Sequence, residues 1–440
     1  MALPQKSDWP PLLLGIDVGS SRTKTMLVDA VTGDEVGAGV ADSPFVTTGD
    51  RTEASVEELI DVVRRVVAGL GAERLRRVVG GGVAGVAECG APFDTQGRAL
   101  APVIAWHDRR GEAVADHLSD RFGPDLDRAI GQHLRYVSTV AKLGWLLDDG
   151  LAAVPARWLG VPEIVLRALT GVEATEWSLA ARTGCFDVGR REWLPDVAAA
   201  AGFGVEVFPG VMGAGQVMGR VTEDAAAWSG VPAGVPLTIG GHDHLVGFVG
   251  SGAAADELVD SVGTAETVVG RSPTLPDVDV ALARSMAVTL FPGGDGWAVI
   301  ASAVRSGQAV DDAAATLGRT PAELDRLVTG GSGRVLDAPG LLDSLRRREP
   351  PALPDGSPAD VWATLLDTLA TETAAAVDRI TGLLGPRRRL LVFGGGSVSE
   401  PWQAAKERRI AMAVERSPMA DAVARGAALL GGVAAGFPPV

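Results

Sequence analysis

Asp243, in the stretch Ile239-Gly240-Gly241-His242-Asp243-His244-Leu245, is the carboxylate best set to act as a base, because it follows a glycine turn behind a run rich in Val and Pro. An Asp with an ordinary pKa near ~3.9 is ionised at neutral pH and ready to take a proton. Two glycine-hydroxyl loops accompany it: Asp17-Val18-Gly19-Ser20-Ser21 near the start of the chain and Ser261-Val262-Gly263-Thr264 just after the acid. Successive backbone N–H groups in such turns form a nest for anionic oxygens, and Asp17 could hold a Mg2+ ion through water. The first loop reads equally well as an ordinary hairpin with a capped turn. The two histidines beside Asp243 are a poor zinc site on this reading. A helix points them about 100° away on either side, a strand puts them on the face opposite the acid, and neither gathers three donors.

Further candidates lie at predicted strand ends. Trp106, Asp108 and Arg109 follow the apolar run Pro102 to Ala105. A Trp there could cover one face of a sugar while the Asp accepts its hydroxyl hydrogens; the alternative is a half-buried Trp beside a surface charge cluster. Glu88 is delivered to the far end of a glycine-rich strand, Val78 to Val83. Tyr136, the only tyrosine, could line a pocket or equally sit in the core or on the surface. Gly394, Gly395 and Gly396 follow a strand at Leu390 to Phe393, where bare backbone lets a flat adenine or ribose approach; a tight strand-to-helix turn would look the same. Gly307 stands at the head of a predicted helix.

The elements that must position these residues spell an α/β chain with mixed sheets. Strands are expected at Leu12 to Asp17 and Thr23 to Asp29, and a third after the turn at Val31 to Glu35. A helix follows the capping box Ser55 and Glu58. Strand, tight turn and strand recur from Leu258 to Val269, a faint echo of the opening hairpin. The proline-rich connection Gly230 to Pro236 marks the expected boundary between an N-terminal domain, 1–236, and a C-terminal domain, 237–440. Residues Thr329 to Pro358 read as an irregular solvated excursion. A closing helix, with Ser417 and Pro418 at its start, carries Gly426, Ala427 and Ala428, small enough for close approach to the triple-glycine loop.

Composition narrows the partners. A chain of 440 residues most naturally makes two domains. A net charge of -15 and a pI near 4.9 repel nucleic acid and anionic membrane. Two cysteines, Cys89 and Cys185, make no disulfide framework and fit a reducing compartment. Met1 to Pro11 lacks a basic and apolar leader pattern, and no apolar run reaches membrane-spanning length, so the expected location is the cytoplasm.

Taken in order, the motifs resemble those of the FGGY family of carbohydrate kinases, within the larger group that shares the actin, Hsp70 and hexokinase nucleotide-binding fold. Gly15 to Ser21 with Lys24 looks like its first phosphate motif, Trp106 with Asp108-Arg109 like its sugar-site element, and Leu169-Thr170-Gly171 through Ser178, Ala181 and Asp187 like its middle region. Gly240 to Asp243 is similar to its acid motif, Gly263-Thr264 to its second phosphate motif, and Gly394 to Gly396 with Gly426 to Ala428 to its adenosine motif. The resemblance implies two ribonuclease-H-like (actin-like ATPase) domains with a central cleft, and transfer of the γ-phosphoryl group of ATP to a hydroxyl of a small sugar or polyol. Mg2+ would sit at Asp17 and Asp243 would be the base. Glu88, Trp106, Asp108, Arg109, Tyr136 and His244 would bind substrate. Gly19, Ser20, Ser21, Lys24, Gly263, Thr264, Gly307 and Gly394 to Gly396 would bind nucleotide. A homodimer is a family-level expectation. The chain departs from the family at Val86-Ala87, where relatives carry polar residues, and at His244, where many carry glutamine. It also departs across Gln308 to Asp312, which lacks a tryptophan, and in the 329–358 segment. A non-catalytic sugar- or nucleotide-binding regulator on the same scaffold is the alternative; a chaperone-like ATPase would need a peptide-binding domain for which no length remains.

Overall fold

An apolar run without alternation predicts a strand covered on both faces, and β1 (Leu12–Val18) is buried along its whole length in the computed structural model of the chain. The structure describes residues 9–438 except 152, 154, 348 and 420. The run Met1 to Pro11, read above for a leader, therefore lies mostly outside the described residues, as does Arg348. β1 pairs antiparallel with β2 (Arg22–Asp29), and β2 with β3 (Glu35–Asp42). α1 (Val56–Ala68) starts at the expected Ser55/Glu58 capping box and buries Leu59, Val62, Val63, Val66 and Val67. β4 (Val78–Gly85) lies parallel to β1. α2 (Thr139–Asp148) and α3 (Val161–Thr170) follow, the latter stopped by Gly171 in the left-handed conformation. After β5 (Gly219–Arg220), β6 (Pro236–His242) pairs parallel with β4 and passes directly into α4 (Asp243–Ser251). The six strands run β5-β6-β4-β1-β2-β3.

The second sheet repeats the plan. β7 (Leu258–Val262), β8 (Glu266–Ser272) and β9 (Trp297–Ser302) are antiparallel neighbours. After α5 (Ser306–Thr316), α6 (Pro339–Arg347) and α7 (Pro358–Leu384), β10 (Arg389–Phe393) lies parallel to β7. α8 (Glu400–Arg409) then leads to β11 (Ala413–Arg416), parallel to β10. Each six-stranded sheet thus contains an antiparallel trio extended by two parallel strands, with one further edge strand, so the faint sequence echo is a repeat of topology. Segment 329–358 is not wholly irregular: α6 buries Leu341, Ser344 and Leu345 under its charged face.

The chain forms two compact units. The first holds the described residues up to Gly250, Thr289–Gly296 and those from Val423 onward; the second holds Ser251–Val288 and Trp297–Ala422. The division falls after Gly250, not at 236. The physical reason is β6: it is an inner strand of the first sheet, so the proline-rich connection before it is a loop within unit 1 rather than a linker.

The closing helix α9 (Ala422–Ala434) begins later than Ser417 and, from Val423 onward, belongs to unit 1. Its small residues serve β1 and β4, since a Cβ on Gly15 would strike the Ala424 carbonyl and one on Gly82 the Ala427 carbonyl. No helix among the described residues is long and apolar enough to cross a membrane.

Candidate functional site

Asp243 is the first residue of α4, and its backbone is set by a buried relay. Glu176 accepts from the Ser178 N–H at 2.7 Å and from the Gly293 N–H at 2.8 Å, while Ser178 Oγ accepts from the His242 N–H at 3.0 Å. Gly241, at φ 120°, passes so close that a Cβ would lie 2.7 Å from Glu176 Oε2 and run into Ser178 Oγ. Burial raises the Glu176 carboxyl to about 7. Burial also pushes the Asp243 carboxyl up, but the imidazoles of His244 and His242 and two N–H donors outweigh it and bring the group to about 2. Asp243 is therefore an ionised base at any working pH, with its side chain 20% exposed.

The expectation that the flanking histidines diverge is overturned. The strand ends at His242 and the helix starts at Asp243, so neither a pure strand nor a pure helix applies. His242 Nε2 stands 3.2 Å and His244 Nε2 3.9 Å from the same Asp243 oxygen.

Glu88 stands beyond β4 in a left-handed conformation, φ 65°, that a side-chain-bearing residue adopts at a cost. Arg182 holds its carboxylate at 2.7 Å, and both charges act on His244, so this pair, His244 and Asp243 share one neighbourhood of unit 1. Trp106 and Tyr136 are half-buried and tied together from below by Lys142, which donates to the Trp106 carbonyl at 3.2 Å, the Tyr136 carbonyl at 3.3 Å and the Val137 carbonyl. Arg109 is exposed, pairs with Glu112 and stacks on the Tyr136 ring at 5.0 Å.

Asp108 does not match its expected role. It is buried, and Oδ1 accepts from the Arg110 N–H at 3.1 Å and Nε at 2.8 Å. Oδ2 accepts from the Thr52 N–H at 2.9 Å and Arg110 Nη2 at 2.8 Å. That fills the lone pairs of a carboxylate and leaves none for a sugar hydroxyl. Asp108 instead anchors the loop that carries Trp106. Lys142, Arg182 and Arg110 are absent from the sequence-based candidates. Only Lys142 carried a readable signal, as a lone cation inside an apolar helix.

Asp17 is buried at the end of β1, directly opposite Lys24 in the β1–β2 register, so the two side chains share a face beside the Gly19–Ser21 turn. Ser43 Oγ donates to the Gly19 carbonyl at 2.7 Å and fixes that turn. A carboxylate is the hard oxygen donor that suits Mg2+, which keeps much of its hydration. In unit 2, Gly307 packs onto Gly263, where a Cβ would strike the Gly263 carbonyl, and the Gln308 N–H donates to the Thr264 carbonyl at 3.3 Å. Gly394, φ 98°, lies against Val262 just ahead of that turn. Gly263, Thr264, Gly307 and Gly394 to Gly396 thus converge at one end of the second sheet.

A chain with two such sheets, each an antiparallel trio followed by parallel strands, has the actin-like ATPase fold. The family model described as the N-terminal domain of the FGGY family of carbohydrate kinases matches residues 12–250, and the chain belongs to that family. It is 32% identical to an L-fuculokinase of Escherichia coli (strain K12) over 186 residues, 42% of this chain and 39% of that protein. The match therefore spans about two fifths of the length of these relatives. It is 26% identical over 437 residues to a xylulose kinase of Streptomyces rubiginosus, 95% of this chain and 87% of that one. The solved xyloylose kinase from Brucella ovis superposes with a TM-score of 0.83 at 22% identity, covering 97% of this chain and 91% of that chain. The Plasmodium falciparum glycerol kinase with ADP gives 0.79 at 17%, covering 97% and 90%. At such identities the structural likeness bears on the fold alone.

Proposed function

We propose that this chain is an ATP-dependent carbohydrate kinase that moves the γ-phosphoryl group of ATP to a hydroxyl of a small sugar or polyol. The observation that carries this reading is the ionised, partly open Asp243 at the β6–α4 junction, with the Glu88–Arg182 pair acting on the adjacent His244. Asp243 takes the hydroxyl proton as the oxygen attacks the γ-phosphorus in line; the new O–P bond forms, the bond to the bridging oxygen breaks, and ADP leaves. Glu88, Trp106, Tyr136, Arg109 and His244 orient the sugar. The backbone at Gly19 to Ser21 and Gly263-Thr264, with Lys24, receives phosphate oxygens. Gly307 and Gly394 to Gly396 receive the nucleoside. Asp17 would hold Mg2+, which when bound neutralises charge on the phosphate oxygens. The two buried free cysteines agree with a reducing cytoplasm, and a homodimer is proposed on family grounds.

The test is coupled ADP release over a panel that includes L-fuculose, D-xylulose, gluconate and glycerol, with Asp243→Asn alongside. One panel member should be turned over by the wild type, and the variant should lose about 100- to 10,000-fold in kcat while binding ATP normally. A variant with wild-type turnover would remove Asp243 as the base. ATP binding with no turnover across the panel would favour the regulator.

A further inference from the structure

The junction that presents Asp243 also gathers three metal-ligating groups. Nε2 of His242 and of His244 lie 3.2 and 3.9 Å from Asp243 Oδ1, and one donor atom from each residue lies within 4.8 Å of the others. A tetrahedral ion with bonds of ~2.1 Å sets its donors ~3.4 Å apart, so one edge already fits and the others close by side-chain rotation. His242 is 7% exposed, and its Nδ1 is buried without a hydrogen-bond partner, so no contact on that nitrogen opposes such a rotation. His244 is 22% exposed, which leaves an approach from solvent and room for water at a fourth position. The nearby charges of Arg182 and Glu88 are paired at 2.7 Å and largely cancel.

We infer that His242, Asp243 and His244 form a binding site for a divalent transition-metal ion of the Zn2+ or Co2+ class. Two imidazoles and one carboxylate suit these ions, whereas Mg2+ prefers an all-oxygen set. The site is separate in kind from the one at Asp17. Its consequence rests on the reading of Asp243 as the base: a cation on Oδ1 withdraws negative charge from the carboxylate and weakens it as a proton acceptor, so a bound ion should inhibit phosphorylation.

The experiment uses the full chain, freed of metal with a chelator, and titrates Co2+ while following its visible ligand-field absorption. One Co2+ should bind per chain and be displaced by Zn2+. His244→Ala and Asp243→Asn should each weaken binding at least ~10-fold. His133→Ala, which removes the exposed His133–Asp127 pair elsewhere in unit 1, should leave it unchanged. Equal binding by His244→Ala and wild type, or loss of binding in His133→Ala, would overturn the site. Turnover in the presence of saturating Co2+ separates the two readings. If Co2+ binds as expected and turnover persists, Asp243 is not the base and the metal site stands. If turnover stops and a chelator restores it, both hold. The absorption titration decides the site even when no sugar is turned over.

Discussion

Among the described residues each unit buries one lysine, and the two are held in opposite ways. Lys142 in unit 1 is 1% exposed and gives its three N–H groups to the carbonyls of Trp106, Tyr136 and Val137. Lys406 in unit 2 is 2% exposed and faces two carboxylates, Asp260 and, at 2.8 Å, Glu266. Burial lowers Lys142 to about 8 against weaker support from Glu88, whereas the two acids outweigh burial and raise Lys406. A cation among neutral dipoles costs the fold its desolvation. It is kept at Lys142 because three carbonyls, two of them from candidate sugar residues, need one rigid donor. In unit 2 the charge is matched within the core. Glu266 also accepts from Ser306 Oγ and from Thr373 Oγ1 at 2.6 Å, so the hub clamps β8, α5, α7 and α8 beneath the Gly263-Thr264 turn.

The harshest way to break this contrast is Lys406→Met. It leaves Asp260 and Glu266 buried side by side without their cation, and removal of one member of a buried ion cluster costs about 3–5 kcal/mol. Denaturant unfolding combined with hydrogen exchange on β7, β8 and α8 should show that loss confined to unit 2. A midpoint equal to wild type would mean that Asp260, whose carboxyl burial lifts to about 7, simply takes up a proton in place of the lysine charge.

Lys142→Met should cost less, about 1–3 kcal/mol in all, because the loss of a donor to three carbonyls is offset in part by removal of the buried charge. Its functional mark is a higher KM for the sugar with ATP affinity unchanged, because the carbonyls released are those of Trp106 and Tyr136. The two lysines also separate by pH. Between about 8 and the unfolded value of 10.5, the unfolded chain holds a proton at residue 142 that the folded chain has shed, so stability rises with pH there and is lost as pH falls through about 8. For Lys406 the folded value is the higher one, so its contribution is present below 10.5 and lost only above it. Unfolding midpoints measured from pH 7 to 10 should therefore rise for wild type relative to Lys142→Met. The gap between wild type and Lys406→Met should widen with pH, because Asp260, lifted to about 7 even beside the lysine, is lifted further without it and its charge is then forced into the core. Parallel curves for all three proteins would contradict the assignment of Lys142.

What the sequence shows of this molecule is local. The Ser55/Glu58 capping box, the β1–β2 and β7–β8 hairpins and the glycine loops rest on spacings within a few residues, and they stand where expected. What it hides depends on partners far along the chain. Thr52 and Asp108 are 56 positions apart, Glu88 and Arg182 are 94 apart, and nothing in either local stretch announces the other. Asp108 therefore reads as a ligand for hydroxyls when it is a saturated anchor. His242 and His244 mislead for another reason. Period arguments assume one kind of backbone, and these residues sit where a strand turns into a helix.

The same junction supplies the mildest test, within the pair Gly240-Gly241. A Cβ on Gly240 meets its nearest atoms at 3.5 Å, ordinary contact, and Ala there should change stability by about 1 kcal/mol or less. A Cβ on Gly241 would meet Glu176 Oε2 at 2.7 Å and displace Ser178 Oγ, the acceptor of the His242 N–H, at a φ that favours glycine. Gly241→Ala should cost about 1–3 kcal/mol and lower kcat by shifting Asp243, while ATP affinity stays as it was. Equal kinetics for the two alanine variants would show that the base tolerates movement of the strand end. The relay from Glu176 through Ser178 would then be packing alone, and the buried acid of unit 1, unlike those around Lys406 in unit 2, would position nothing above it.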